Sequence, residues 1–274
     1  MTADPLFEEL SSALDSRREA RWLLDELDGC SPAQRRELAL ALASRRLAGE
    51  PLQYVLGHWP FRTLDLVLDA RALIPRPETE LLVDRALDVL DVIEERAVVC
   101  DLGCGSGAIA LSIAVEARAR GAHVDVLATD VSRDALALAA LNAARTGTEV
   151  SFFEGSWFEA IPAAYVGELS LVCSNPPYVG CDERPHLARE LDFEPSIALV
   201  AADGSDGTPG MGALETIIAG AARWLAPGGT LVLEHGADQR DAVVACCGRA
   251  GLVLIRDHVD LAGLPRIVQA SRPR

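Results

Sequence analysis

The segment Asp101-Leu-Gly-Cys-Gly-Ser-Gly107 is the most informative part of this 274-residue chain about its fold. An apolar run at 97–102 leads into it, and a helical pattern at 108–120 follows it. Its alternating glycines let the backbone turn sharply and let a ligand approach the main chain. The stretch therefore predicts a ligand-binding turn between a strand and a helix.

Strand and helix patterns alternate from Leu81 to the end of the chain. Helical stretches, for example 108–120 and 134–145, lie between most of the apolar segments. The predicted strands are 97–102, 124–129, 150–153, 169–173, 230–233, 252–256 and 266–270. Strands that alternate with helices of about 10 to 15 residues indicate a doubly wound α/β sheet.

Helix start signals mark the N-terminal part of the chain. Ser16 with Glu19, and Ser31 with Gln34, have the spacing of a helix capping box, in which each side chain satisfies a free backbone N–H group. Leucines then recur at helical spacing after both pairs. We therefore predict a small helical domain over residues 1–50.

A short linker is predicted between this domain and the sheet. Residues 51–74 contain two apolar runs, at 52–56 and 64–68, around a turn at 57–62. Such runs around a turn predict a β-hairpin. Residues 75–274 then form the larger α/β domain.

The charge balance restricts the partners of the chain. It contains 41 acidic residues against 25 basic ones, all of them arginine, for a net charge of −16. Proteins that bind nucleic acid directly normally carry a basic face that neutralises phosphates. We therefore expect no direct nucleic-acid partner, and a macromolecular partner that is neutral or basic.

Hydropathy and cysteine usage indicate the environment. No apolar run approaches the roughly 20 residues that span a bilayer, and no basic N-terminal segment precedes an apolar one. The 7 cysteines and 5 histidines are dispersed and lack the spacing of a zinc site. We therefore expect a soluble cytoplasmic protein with reduced thiols, no metal and no membrane partner.

A second motif, Asn175-Pro176-Pro177-Tyr178, follows the predicted strand at 169–173. The Asn175 amide oxygen and the Pro176 carbonyl are acceptors that suit a planar NH2 group, and Pro176 removes a competing N–H donor. Such a nitrogen is a poor nucleophile and must be oriented to react. Alone, the motif fits a proline-rich turn equally well. Together with the glycine-rich turn, it predicts methyl transfer from S-adenosylmethionine to an amino or amide nitrogen.

The predicted cofactor site combines the glycine-rich turn with later acidic and aromatic residues. Asp101 suits the positively charged methionine end of S-adenosylmethionine and would lie poorly beside a pyrophosphate. A dinucleotide loop matches less well, because Ala108 stands where the GxGxxG fingerprint requires glycine. Asp130 suits ribose hydroxyls in either cofactor, or caps a helix. Trp157 is placed to flank the adenine, or packs in the core.

Several segments resemble the successive signatures of one family. They are Pro51-Leu-Gln-Tyr-Val-Leu-Gly57, Leu73-Ile-Pro-Arg-Pro-Glu-Thr-Glu80, Asp101-Leu-Gly-Cys-Gly-Ser-Gly-Ala-Ile-Ala110, Ser174-Asn-Pro-Pro-Tyr178, Glu194-Pro195 with Ala198-Leu199, and Leu233-Glu-His-Gly-Ala-Asp-Gln239. From about residue 50 to its C-terminus the chain resembles the HemK/PrmC family. These are protein-(glutamine-N5) methyltransferases of peptide-chain release factors.

The resemblance implies a fold, a reaction and a site. The fold is that of class I S-adenosylmethionine-dependent methyltransferases, Rossmann-like with a seven-stranded mixed sheet. The substrate is the glutamine amide in the Gly-Gly-Gln motif of release factors, which the N-terminal helical domain is expected to help recognise. The implied cofactor site comprises Asp101, Gly103, Cys104, Gly105, Ser106, Gly107, Asp130, Trp157 and Asn175. The implied substrate site comprises Asn175, Pro176, Pro177 and Tyr178, with Asn175, Pro176 and Tyr178 as the catalytic residues.

Other functions compete with this interpretation. A DNA amino-adenine or amino-cytosine methyltransferase uses the same clamp on a flipped base, but the acidic charge argues against it. A glutamine methyltransferase of another translation or ribosomal protein would have nearly the same site. A non-catalytic binding module would be expected to lose one of the two motifs, and both are intact.

Some positions are open or depart from the family pattern. Arg76, Glu78 and Glu80 either fix the linker by salt bridges or contact the substrate. Ser156 stands where the family usually has an acidic residue. The segment 202–212, Ala-Asp-Gly-Ser-Asp-Gly-Thr-Pro-Gly-Met-Gly, also differs from the family's usual GGxDGL pattern.

Overall fold

The computed structural model describes residues 4–186 and 188–274, so the first residues of the predicted N-terminal domain lie outside it. The α-helices are α1 (Pro5–Ala13), α2 (Arg17–Asp25), α3 (Pro32–Leu47), α4 (Leu52–Leu56), α5 (Thr79–Leu90), α6 (Ala108–Ala119), α7 (Arg133–Thr146), α8 (Ser196–Leu199), α9 (Gly212–Trp224) and α10 (Arg240–Arg249). The strands are β1 (His58–Phe61), β2 (Leu64–Val67), β3 (Ala97–Leu102), β4 (Val124–Asp130), β5 (Ser151–Glu154), β6 (Leu169–Ser174), β7 (Leu225–Glu234), β8 (Val253–Val259) and β9 (Pro265–Ser271). Within these ranges, no helix combines the length and apolarity needed to span a bilayer.

Seven strands form one mixed sheet in the order β5-β4-β3-β6-β7-β9-β8. Neighbouring strands are parallel except at β9, which is antiparallel to both β7 and β8. The chain proceeds outward from β3 to β5 and then returns to β6 on the other side of β3. The carboxyl ends of strands at such a reversal are where α/β proteins bind ligands. The predicted seven-stranded mixed sheet is confirmed.

Helices cover both faces of the sheet and create two cores. One core contains Leu87 of α5 and Ile113 of α6, and the other contains Ile217 of α9. Along β3, Val99 belongs to the first core and Cys100 to the second, because successive strand side chains point to opposite faces. Burial on both faces explains why the central strands β3 and β6 are continuous apolar runs in the sequence.

The N-terminal helices pack around a core of their own. Leu10, Leu23 and Ala39, from α1, α2 and α3, are fully buried there. The Ser16 hydroxyl accepts a hydrogen bond from the Glu19 backbone N–H at 3.2 Å, so α2 begins where the sequence predicts. The predicted helices of this region are confirmed.

The prediction that residues 52–56 form the first strand of the hairpin is wrong. Residues 52–56 form helix α4, which follows Pro51 and ends at Gly57 with a φ of 82°. The hairpin consists of β1 and β2, which pair down to Phe61 opposite Leu64. A short apolar run fits a strand or a helix, and proline before it with glycine after it marks a helix. Helix α4 packs into the N-terminal core through Leu52 and Val55.

Buried polar contacts fix the hairpin to the sheet domain. Asn142 of α7 is 1% exposed. Its Oδ1 accepts from the Val67 N–H at 2.8 Å, and its Nδ2 donates to the carbonyls of Val67 at 3.1 Å and Ser106 at 3.0 Å. Arg62 forms a salt bridge of 2.6 Å with Glu116 of α6. Asn142 is therefore bonded to both the hairpin and the glycine-rich turn. These bonds hold the segment that follows the hairpin, residues 71–79, beside the glycine-rich turn.

Candidate functional site

A cavity of about 540 Å³ lies at the carboxyl ends of β3, β4, β5 and β6, where the strand order reverses. The turn after each strand contributes to its wall. The residues that line it are 103–106 after β3, Asp130 at the end of β4 with 131–132 after it, 155–157 after β5, and Asn175 with Pro177 after β6. The predicted glycine turn, Asp130, Trp157 and the NPPY motif therefore meet at one cavity.

The glycine-rich turn presents its backbone to this cavity. Gly103 and Gly105 have φ angles of 73° and 54°, a region that residues with a Cβ rarely occupy. The N–H groups of Gly103 and Cys104 both donate to the Thr129 carbonyl, at 2.8 and 2.9 Å. A Cβ at position 103 would lie 3.2 Å from the Trp157 ring. Gly103 is therefore needed both for the turn and for the close approach of Trp157.

Gly107 has a different role from the other glycines of the turn. It lies behind the cavity wall, at the start of α6, with a φ of 85°. A Cβ there would lie 3.1 Å from the Leu111 side chain and 3.3 Å from that of Ala139. Gly107 therefore permits close packing of α6 against α7, and its assignment to the cofactor site stays a prediction.

Asp101 is fully buried behind the turn. Its Oδ2 accepts from the Ala110 N–H at 3.1 Å, while Oδ1 has no hydrogen-bond partner in the described part of the chain. Burial raises the pKa of the Asp101 carboxyl to about 7. A buried carboxylate with an open oxygen favours a nearby cation, because an uncompensated buried charge is costly.

Asp130 connects the glycine turn to the start of α7. Its Oδ2 accepts from the Gly105 N–H at 2.9 Å, and its Oδ1 accepts from the Ser132 N–H at 2.8 Å. Burial raises the pKa of this carboxyl, and the backbone donors partly offset the effect. The cap of α7 is Ser132, whose hydroxyl accepts from the Ala135 N–H at 3.2 Å. Asp130 thus keeps lone pairs for hydroxyl donors in the cavity.

Trp157 has an unusual backbone conformation. Its φ is 45°, in a region that is strained for a bulky residue and that often marks functional sites. The ring packs against Gly103, lines the cavity, and also contacts the core that contains Phe158. The two alternatives for Trp157, cofactor contact and core packing, are therefore compatible.

The NPPY motif forms the wall between the large cavity and a small one of about 50 Å³. Asn175 and Pro177 line both cavities, and Pro176 and Tyr178 line the small one. The Nδ2 group of Asn175 donates to the Thr79 hydroxyl at 3.0 Å. This contact turns the NH2 end of Asn175 toward Thr79 and leaves its oxygen, Oδ1, able to accept from a ligand.

The structure adds two residues to the predicted site, Thr79 and Glu234. Glu234, at the end of β7, is 1% exposed. Its Oε2 accepts from the Thr79 hydroxyl at 2.7 Å, and its Oε1 accepts from the Tyr178 hydroxyl at 3.3 Å. Burial raises the pKa of Glu234 to about 7. The available signal was its position at the end of an apolar run, because Glu234 ends β7 as Asp130 ends β4.

Salt bridges favour a linker-fixing role for the charged residues of the segment before α5. Arg76 contacts Glu194 at 2.6 Å, and the other oxygen of Glu194 accepts from the Ile74 N–H at 3.0 Å. Glu80 accepts from the Arg62 N–H at 3.2 Å. The two Glu194 contacts hold the segment against the residues that precede α8, and the Glu80 contact joins the first turn of α5 to the turn of the hairpin. Arg76 also lines the small cavity.

The loop at 203–212 is attached to the NPPY motif. Gln239 donates through Nε2 to the carbonyls of Tyr178 and Pro209, both at 2.9 Å. The Ser205 N–H donates to Glu215 of α9 at 2.9 Å. The loop is therefore connected to the backbone of the motif on one side and to a core helix on the other.

Comparison with known proteins identifies the family. Residues 78–197 match the model of the Methyltransferase small domain. The chain is 43% identical over 267 residues to the release factor glutamine methyltransferase of Xylella fastidiosa strain Temecula1, across 96% of this chain and 91% of that protein. The chain belongs to the release factor glutamine methyltransferase family. A second member, from Bordetella pertussis, is 44% identical over 255 residues, across 91% of this chain and 88% of that protein.

A solved structure supports the fold assignment. A methyltransferase from Pyrococcus furiosus superposes with a TM-score of 0.54 at 15% identity, across 88% of this chain and 100% of that one. At this identity the likeness concerns the fold alone. The predicted class I methyltransferase fold and the predicted family are both confirmed.

The family uses S-adenosylmethionine as methyl donor, and the residues present fit this cofactor. The cavity of about 540 Å³ has the size of a ligand-binding cleft. Asp130 lines this cavity and retains acceptor capacity for the ribose hydroxyls. Asp101 is fully buried behind the cavity wall, so its contact with the cationic end of the cofactor stays a prediction. The assignments of individual residues to the cofactor stay predictions.

Replacing Asp130 by alanine is expected to weaken S-adenosylmethionine binding by about tenfold or more. The change removes a carboxylate acceptor, and hydrogen bonds to a charged group contribute about 1.5–3 kcal/mol. Isothermal titration calorimetry measures the Kd directly. Asp134→Ala is the matched control, because Asp134 is an exposed carboxylate in the first turn of α7. An unchanged Kd in Asp130→Ala would remove this residue from the cofactor site.

Proposed function

We propose that the chain transfers a methyl group from S-adenosylmethionine to the side-chain amide nitrogen of the glutamine in the Gly-Gly-Gln motif of peptide-chain release factors. The observation that carries this proposal is the orientation of Asn175 between the two cavities. Its NH2 group is held by Thr79 at 3.0 Å, so its oxygen is presented to a ligand. An NH2 donor such as a glutamine amide is the complementary group.

The residues of the chain orient the target nitrogen. Asn175 Oδ1 and the Pro176 carbonyl accept the two amide N–H groups, which fixes the plane of the amide. Tyr178 packs against the glutamine side chain in the small cavity, whose apolar wall includes Leu73 and Leu199. S-adenosylmethionine supplies an electrophilic methyl group on a sulfonium sulfur. Positioning provides most of the catalysis in this arrangement, because the nucleophile is weak until it is aligned.

No strong general base is needed for this transfer. The amide nitrogen forms the new bond to the methyl carbon, and the methyl–sulfur bond breaks with its electron pair going to sulfur. The alkylated nitrogen then carries an acidic proton, which passes to water. The described site accordingly needs acceptors for N–H groups more than it needs a proton-abstracting side chain.

The division into residues 1–50, 51–74 and 75–274 is also part of the proposal. It is supported by the separate core of the N-terminal helices, which contains Leu10 and Leu23 and into which α4 of the linker segment also packs through Leu52 and Val55. We infer that the N-terminal domain recognises the release factor outside the Gly-Gly-Gln loop. The net charge of −16 supports a protein partner and no direct contact with nucleic acid. A cytoplasmic location is inferred because release factors act on ribosomes there, and cell fractionation tests it.

Mass spectrometry of an intact release factor after reaction tests the function. We expect one added methyl group on the Gly-Gly-Gln glutamine, and none on a factor whose glutamine is replaced by alanine. Methylation of plasmid DNA, or of a ribosomal-protein glutamine in place of the release factor, would overturn the assignment. A second arm uses a short Gly-Gly-Gln peptide. Equal kcat/KM for peptide and intact factor would contradict recognition by the N-terminal domain.

A further inference from the structure

A chain of hydrogen bonds connects Glu234 to the substrate clamp. Asn175 donates to Thr79 at 3.0 Å, Thr79 donates to Glu234 at 2.7 Å, and Tyr178 donates to Glu234 at 3.3 Å. These residues come from the end of β6, the first turn of α5 and the end of β7. Thr79 is 3% exposed and Glu234 is 1% exposed, so water competes little for these bonds.

The charge of Glu234 determines the direction of each bond in this chain. An ionised carboxylate can only accept, so both hydroxyls must donate to it. Thr79 has a single hydroxyl proton, and once that proton points at Glu234, Thr79 can only accept from Asn175. The Asn175 NH2 group must then face Thr79, which leaves its oxygen able to accept from a ligand.

We propose that Glu234 is a positioning residue that acts through Thr79 to fix which end of the Asn175 amide faces the substrate. This inference rests on the proposed function, because a glutamine NH2 group requires an acceptor and is repelled by a donor. Neither residue needs to touch the substrate nitrogen for this role. Thr79 also lines the cofactor cavity, so its variants must be compared at saturating S-adenosylmethionine.

Protonation of Glu234 removes this directional constraint. A neutral carboxyl can donate to the Thr79 hydroxyl, which is then free to donate to Asn175 Oδ1. The side-chain amide of Asn175 could then turn so that its NH2 group faces the substrate. Burial raises the pKa of Glu234 to about 7; Thr79, Tyr178 and Arg266 of β9 favour the ionised form, and Glu78 opposes it. The ionised form therefore predominates above that pH, and kcat should fall as the pH falls through about 7.

Ionisation of Glu234 is expected to have opposite effects on activity and on stability: it raises kcat and lowers the free energy of unfolding. Because its pKa is raised in the folded chain from 4.5 to about 7, the stability that the neutral form contributes is present below pH 4.5 and lost as the pH rises through about 7. At pH 8, Glu234→Gln should therefore keep or increase the melting temperature while it lowers kcat. A residue that serves only to hold the fold would show a loss of both.

Steady-state kinetics on a release factor, at saturating cofactor, tests the role. We expect Glu234→Gln and Thr79→Val each to lower kcat about tenfold at pH 8, and Thr79→Ser to restore most of it. In the wild type we expect kcat to fall as the pH falls through about 7. In Glu234→Gln the lower kcat should not show this fall. This difference is diagnostic because the Asp101 carboxyl, whose pKa is also about 7, is present in both proteins. Thr146→Val is the control, since Thr146 is the last residue of α7 and its hydroxyl donates to the Asn142 carbonyl of the same helix.

A double-mutant cycle separates positioning from general stability. If Thr79 acts through Asn175, Thr79→Val should have almost no further effect on kcat in an Asn175→Ala background. Additive losses would contradict the proposal. The proposal would also be contradicted if kcat of Glu234→Gln fell below about pH 7 as it does in the wild type.

A measurement without the release factor keeps this inference distinct from the proposed function. The side-chain NH2 resonances of Asn175, assigned by their loss in Asn175→Ala, are followed by NMR across pH 5–9, a range of about two units on either side of the Glu234 pKa. We expect them to shift with a midpoint near 7 in the wild type and to be pH-independent in Glu234→Gln. If they titrate and the release factor is not methylated, the function fails and the positioning role stands. If they do not titrate, the positioning role fails.

Discussion

Replacing Asn175 by alanine is expected to lower kcat on release factor by about a hundredfold. The change removes the side-chain oxygen that accepts an N–H group of the target amide, and loss of one positioned hydrogen-bonding group in an active site costs about 10² to 10³ in kcat. The Nδ2 contact to Thr79 at 3.0 Å is lost as well, but the backbone of β6 that carries the motif is unchanged. The affinity for S-adenosylmethionine should change less than kcat does, because the main loss is in orientation of the nucleophile, although Asn175 also lines the cofactor cavity.

Single-turnover kinetics with saturating cofactor, together with calorimetric Kd values, measure both effects. Asn142 provides the contrast, because its amide makes its hydrogen bonds to the backbone of Val67 and Ser106. Asn142→Ala should lower the free energy of unfolding by about 2 kcal/mol, since it leaves buried backbone groups unsatisfied. Asn175→Ala should leave the melting temperature nearly unchanged. Near-normal turnover in Asn175→Ala would contradict the clamp mechanism.

The central strands of the sheet, such as β3 and β6, were predictable because they are buried on both faces. Each of them appears in the sequence as a continuous apolar run, and the predicted run at 97–102 coincides with β3. The glycine turn was predictable for a similar reason, because Gly103 and Gly105 occupy φ angles that few other residues tolerate. In both cases one local physical requirement determines the residue type.

Contacts between distant segments were not predictable from a single sequence. The Thr79–Glu234 bond joins residues 155 positions apart, and nothing in either segment specifies the other as its partner. Helix α4 was missed because its five residues, Leu52–Leu56, are too short for periodicity to separate a helix from a strand. Asp101 was recognised as acidic and well placed, but the sequence did not reveal that it lies behind the cavity wall.

The loop at 203–212 illustrates a segment whose role only the structure reveals. Its sequence departs from the usual family pattern, so no role for the loop can be inferred from the family's motifs. In the structure, Gly210 has a φ of 67° and lies against the backbone of Tyr178. A Cβ at position 210 would lie 2.1 Å from the Tyr178 carbonyl oxygen and 2.7 Å from its carbonyl carbon. Either the loop or the NPPY backbone must therefore move if any side chain is introduced there.

Replacing Gly210 by alanine is therefore expected to lower kcat/KM by about a hundredfold, because displacement of the reacting groups by about 1 Å has that cost. The Tyr178 carbonyl is bonded to Gln239 at 2.9 Å, so the overlap is transmitted to the motif that holds the target amide. Gly207→Ala is the matched control: its φ is 84°, in the same loop, but a Cβ there would meet no atom of residues 4–186 and 188–274 within 4 Å. It should lose about 1 kcal/mol of stability from the left-handed backbone and keep its activity. S-adenosylmethionine binding by calorimetry distinguishes a displaced motif from a failure to fold, since Gly210→Ala should still bind the cofactor. If the two variants show equal activity, the loop does not support the clamp.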